Sequence, residues 1–114
     1  MPYISTVTSV KISEDKKRTL TKELGEAISL IDGKSERWLM LSFIDECSMA
    51  FAGDSVTPCA MIKVEIFGKA EDGEYDALTQ RLCDLVAGEL DIPKDRIYVN
   101  YREVSRWGMG GYNF

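Results

Sequence analysis

Residues 59–67 read CAMIKVEIF and residues 97–101 read IYVNY. Between them Gly68 and the GKAEDGE stretch turn the chain, and Tyr75, Leu78, Leu82, Leu85 and Val86 recur at helical spacing. This half of the chain therefore reads strand, helix, strand. The same order precedes it. Pro2 to Val10 alternates and is rich in β-branched residues, which predicts a strand. Ser13 suits a helix N-cap, with Glu14 and Asp15 in the first turn. Leu20, Leu24, Ile28 and Ile31 then form one apolar face, and Gly33 ends the helix. Trp38 to Ile44, WLMLSFI, reads as a nearly all-apolar strand of the kind buried on both faces.

An offset of 59 residues lays Glu36 and Arg37 on Asp95 and Arg96, and one helical face on the other. The pattern predicts a single α+β domain over residues 1–114. It consists of two βαβ units related by a pseudo-twofold, forming a four-stranded mixed sheet with both helices on one face. The second and third strands read as apolar on both sides. A lone subunit would then expose apolar sheet and free edges, so a closed homo-oligomer is expected. The tail SRWGMGGYNF is too rich in glycine for a helix. Its Trp107, Met109, Tyr112 and Phe114 suit a short strand or turn docked on a neighbour.

Composition narrows the chemistry. The chain has 114 residues, 45% of them hydrophobic and 29% charged, which suits one ordinary domain. A net charge of -5 argues against a broad nucleic-acid surface. No apolar run is long enough to span a membrane, and the start lacks a signal-peptide layout, so a cytoplasmic location is expected. Cys47, Cys59 and Cys83 form neither a disulfide framework nor a zinc pattern. Histidine is absent, which removes Ser-His and Cys-His nucleophile pairs and most transition-metal sites. No metal or cofactor is implied.

Proton transfer near neutral pH must then use a shifted carboxylate, a lysine, a tyrosine, a thiol or the α-amine. Pro2 stands where initiator methionine is normally excised, because a small second residue permits removal. It is either a harmless strand starter or, once Met1 is gone, a secondary amine on a rigid ring.

The N-terminal MP, the GK after the first helix, MAFAGDSVTPCA, FGK and DRIYVNY together resemble the macrophage migration inhibitory factor family of the tautomerase superfamily. The resemblance runs the length of the chain. It implies a homotrimer with active sites at subunit boundaries. The implied reaction is keto–enol tautomerisation of arylpyruvates such as phenylpyruvate, and of D-dopachrome-like compounds. It also implies Pro2 as catalytic base, Lys34 on the substrate carboxylate and the Phe67 backbone against substrate. Tyr98 and Asn100 would come from the adjacent subunit, while Trp38 and Met109 would line the ring pocket. Three features depart from the family pattern: Cys59 lacks the second cysteine of a CxxC pair, Glu65 puts a negative charge, unfavourable to anionic substrates, at a pocket position that is often histidine, and the tail ends GGYNF.

Elementary chemistry is compatible with these roles. An α-amine titrates near 8, and burial lowers that value toward neutrality. Lys34 alone reads as a solvated charge near a helix C-terminus; beside such an amine it becomes a cation for a 2-oxo acid. Tyr98 and Asn100 share one strand face, either as an ordinary polar pair or as substrate contacts. Tyr98 and water are both open as the enolate's proton donor. Cys47 and Cys83 read as packing residues. A cytokine-like protein binding a host receptor, exported without a signal peptide, is the alternative function. A small-acid tautomerase or dehalogenase fits less well, because Arg18 is the one arginine before Arg37.

Overall fold

The computed structural model describes all 114 residues. Four strands, β1 (Pro2–Thr8), β2 (Met40–Ile44), β3 (Ala60–Phe67) and β4 (Ile97–Val104), form one sheet in the order β2-β1-β3-β4. The inner pair β1 and β3 is antiparallel, and each outer strand runs parallel to its inner neighbour. Helix α1 (Glu14–Ala27) connects β1 to β2, and α2 (Asp72–Leu90) connects β3 to β4. The expected pair of βαβ units is present, joined by the antiparallel seam.

Both helices pack on one sheet face. Leu20, Leu24, Ile28 and Ile31 meet Leu78, Leu82, Val86 and the sheet residues Ile4, Ile62, Val64 and Ile66 in one core. Each such side chain, fully buried, contributes on the order of 1.5–3 kcal/mol by leaving water. Ser13 caps α1 as its position predicts, its hydroxyl accepting from the Lys16 amide at 3.2 Å. Helix α2 begins with a reciprocal box in which Glu71 and Glu74 each accept from the other's backbone amide.

Several boundaries differ from the expectation. Helix α1 stops at Ala27, and a 3-10 turn over Ile28–Leu30 carries the chain on toward Gly33. Strand β1 ends at Thr8, whereas β4 continues to Val104. Trp38 belongs to a 3-10 turn, Glu36–Trp38, and β2 begins at Met40. Apolarity alone cannot separate a strand from apolar residues placed in a turn. Nor is β2 buried on both faces. It is an edge strand, with Met40 and Ile44 exposed. Strand β3 is two-sided: Ala60, Ile62, Val64 and Ile66 are buried, while Lys63 is exposed and Glu65 half-buried on the face without helices.

The tail folds on itself. Strands β5 (Gly108–Met109) and β6 (Tyr112–Asn113) pair as a hairpin. Its turn residues Gly110 and Gly111 have φ of 61° and 100°, a region in which a Cβ is strained. The Phe114 amide donates to the Trp107 carbonyl at 2.9 Å, and the Phe114 ring sits 6.2 Å from that of Phe67.

Candidate active site

The turn after α1 aims Lys34. Ile31 is buried, Gly33 adopts φ 78°, and the Lys34 amide donates to the Ile31 carbonyl at 3.0 Å. Glu74, at the start of α2, accepts from the Asp32 amide at 2.6 Å and so ties this turn to the loop after β3. These two backbone hydrogen bonds, to the Glu71 and Asp32 amides, pull the Glu74 carboxyl below its ordinary range. The Lys34 side chain then crosses to β3, where Nζ donates to the Phe67 carbonyl at 2.7 Å. The Phe67 amide in turn donates to the Met1 carbonyl at 2.9 Å. Lys34, Phe67 and the N-terminus thus meet at one point.

Burial lowers the pKa of the Met1 α-amine, and the charge and hydrogen bond of Lys34 lower it further.

Beside this point lies a cavity of about 430 Å³. Pro2 and Tyr3 form its floor, Trp38 and Met40 one wall, and Trp107 and Met109 of the tail hairpin the other. Glu65 projects from β3 into the same space. Of the expected residues, Pro2, Trp38 and Met109 line this cavity, while Lys34 and Phe67 meet at the adjoining N-terminus. Trp38 is 42% exposed and stands at the rim with Arg37 above its ring, 5.0 Å from guanidinium to centroid. Tyr3, Met40 and Trp107 were missed as lining residues. The signal for Met40 was its strand alternation with Ser42; Trp107 offered none, because only the hairpin's path brings it near Pro2.

Tyr98 and Asn100 are not in this cavity. Pro2 pairs with Ile66, and Ile66 with Glu103, so Tyr98 lies two strands over and five residues along β4, an offset of roughly 17 Å in the strand direction alone. Both side chains stand exposed on the face without helices. Tyr98 is firmly supported. Its ring meets Phe51 edge-on at 5.0 Å, and Arg96 stacks on Phe51 at 5.2 Å. Arg96 also donates to the carbonyls of Phe51, Asp54, Thr57 and Pro58, fixing the loop before β3. Cys59 is buried, and burial pushes the half-buried Cys83 thiol upward, away from reactivity.

The family model described as macrophage migration inhibitory factor matches residues 1–113. The chain belongs to the macrophage migration inhibitory factor family. This family is part of the tautomerase superfamily of isomerases. Among solved structures, the crystal structure of Leishmania major MIF2 is 31% identical. It superposes with a TM-score of 0.93 over 100% of this chain and 97% of that one. The macrophage migration inhibitory factor homologue from Prochlorococcus marinus is 26% identical, with a TM-score of 0.83 and 98% of each chain covered. The macrophage migration inhibitory factor of Meriones unguiculatus is 30% identical over 91 residues, 80% of this chain and 78% of its own. The two-helix, four-strand arrangement is thus the fold of the family.

Proposed function

We propose that this protein is a keto–enol tautomerase of arylpyruvates such as phenylpyruvate, working as a homotrimer with Pro2 as general base. The observation that carries the reading is the meeting of the N-terminus, Lys34 and the Phe67 backbone at the mouth of an apolar cavity. Removal of Met1 converts the Pro2 nitrogen from an amide into a secondary amine. It also takes away the acceptor of the Phe67 amide, leaving that N–H free for substrate. Lys34 binds the carboxylate of the 2-oxo acid, and the apolar walls hold the ring.

The neutral Pro2 nitrogen takes a proton from the carbon beside the ketone, and the electron pair moves onto the carbonyl oxygen as an enolate. A proton delivered to that oxygen gives the enol, and ketonisation is the reverse. Burial and the Lys34 charge, which lower the pKa of the Met1 amine, favour the neutral form that a general base needs. Exposed Tyr98 and Asn100 lie too far from Pro2 of their own chain, and in a trimer they reach the site of an adjacent subunit. Exposed Met40, Ile44 and Tyr98 on the helix-free face supply apolar surface for that assembly.

Intact mass of the purified protein and phenylpyruvate turnover by wild type and Pro2→Gly test the reading together. Mass lacking methionine and a loss of kcat of about 100-fold or more in Pro2→Gly are expected. Undiminished turnover by Pro2→Gly, or by protein that retains Met1, removes the assigned base.

A further inference from the structure

Tyr98 lies on the edge strand β4 and is 61% exposed. An exposed side chain changes rotamer within nanoseconds unless a neighbour holds it. The neighbour here is Phe51, whose half-buried ring meets that of Tyr98 at 5.0 Å and 62°. Edge-to-face contact of this kind favours one mutual orientation of the two rings. Phe51 belongs to a loop, so its own position needs a cause. Phe51 and Asp54 exchange both backbone hydrogen bonds at 3.0 Å, closing a two-residue turn. The turn residues Ala52 and Gly53 have φ of 55° and 78°, as a tight turn of this hand requires. Alanine is strained there, and such a residue persists only where its surroundings over-determine it.

Arg96 supplies that constraint. Its side chain is only 12% exposed, and its guanidinium donates to the carbonyls of Phe51, Asp54, Thr57 and Pro58 at 3.0–3.2 Å. The same group lies 5.2 Å from the centroid of the Phe51 ring. The Asp54 carboxylate already shapes the far side of the loop through the Val56 and Thr57 amides. What the guanidinium adds is a fixed place for the Phe51 carbonyl and ring. Arg96 is two residues before Tyr98, and the pairing of Ala60 with Ile97 and of Met61 with Tyr98 fixes that stretch of backbone. Clasp and ring are therefore carried on one rigid strand start.

We infer that Arg96 and Phe51 are positioning residues, the guanidinium fixing Phe51 and Phe51 holding the Tyr98 ring ready for substrate in the adjacent subunit's site. The inference rests on the proposed trimeric tautomerase, in which neither residue touches substrate. A ring ordered beforehand costs little further entropy on binding, so the benefit falls on KM. The test measures kcat and KM for phenylpyruvate in wild type, Phe51→Leu, Arg96→Lys, Tyr98→Ala and the Phe51→Leu/Tyr98→Ala double variant. Leucine keeps apolar bulk without a ring edge, and a lysine ammonium keeps the charge but cannot span four carbonyls. Phe51→Leu and Arg96→Lys should each raise KM about three- to tenfold with kcat near wild type. Loss of folded protein would instead lower the apparent kcat and leave KM alone. In the Tyr98→Ala background, Phe51→Leu should add nothing, because the ring through which it acts is gone. A wild-type KM in Phe51→Leu overturns the inference, as does an equal rise with and without the Tyr98 ring. A wild-type KM in folded Arg96→Lys strikes the guanidinium from the clasp, and should that variant not fold, the Phe51→Leu pair decides. Wild-type kinetics in Tyr98→Ala remove Tyr98 from the site and the inference with it, leaving Pro2 as base. A wild type inert toward phenylpyruvate overturns the tautomerase reading itself.

Discussion

Lys34 Nζ donates to the carbonyl oxygen of Phe67 at 2.7 Å, across 33 positions of sequence. The contact pins a flexible cation at the mouth of the cavity, beside the N-terminus whose pKa it lowers. Removing the cation therefore has two consequences. In Lys34→Ala, KM for phenylpyruvate should rise about tenfold or more, the usual cost of losing a charge-assisted contact. The amine should also bind its proton more tightly, moving the acidic limb of the kcat/KM profile to higher pH. An unchanged KM together with an unmoved limb would show that Lys34 meets neither substrate nor amine.

The proposed sharing of each site between subunits has a direct consequence for mixtures. Pro2→Gly and Asn100→Ala proteins should each be weak alone. Unfolded together and refolded, they should form hybrid trimers in which some sites hold both native residues. Activity above the sum of the separate proteins is expected. A merely additive result would place Asn100 outside the site.

Asp54 ties down the loop that supports Tyr98. Its carboxylate accepts from the Val56 amide at 2.8 Å and the Thr57 amide at 3.1 Å. The hydrogen bonds from Thr57 and Val56, chiefly the former, draw its pKa from 3.8 to about 2. A depressed carboxyl stabilises the fold above its unfolded value and loses that contribution as pH falls through its folded value. Melting temperature should therefore drop between pH about 4 and about 2. In Asp54→Asn, which keeps an acceptor but cannot titrate, this drop should be shallower. Identical slopes by circular dichroism would mean that the loop does not depend on the charge.

The tail hairpin offers a test of the pocket wall. Gly111 has φ 100° and no atom within 4 Å of where a Cβ would stand, so Gly111→Ala is strained only through its backbone. The cost is about 1 kcal/mol, borne by a terminal element that opens locally. The global melting temperature should barely move, while KM rises several-fold as Trp107 and Met109 shift. A lowered melting temperature with unaltered KM would detach the hairpin from substrate binding.

Much of the fold was present in local pattern. The α1 face from Leu20 to Ile31, the Ser13 cap and the repeat across β1–α1–β2 and β3–α2–β4 all follow from spacing within a few residues. Helical and strand periods are local properties, so a chain read in order reveals them. Pro2 and Lys34 were singled out through the resemblance to the family, because residue type alone fits a strand starter and a solvated cation.

Other features depended on distant partners. The placement of Trp38 in a 3-10 turn and of β2 at a sheet edge was settled by strand register and turn geometry. An apolar run looks the same whether it faces a core, a cavity or solvent, and only packing distinguishes the three. Trp107 shows this most plainly: nothing near it in sequence points to Pro2, and a hairpin turned by two glycines brings it there. Residue types thus determined which reaction chemistry is possible. Tertiary structure decided which groups share one small volume, because only the pairing of remote strands brings them within contact distance.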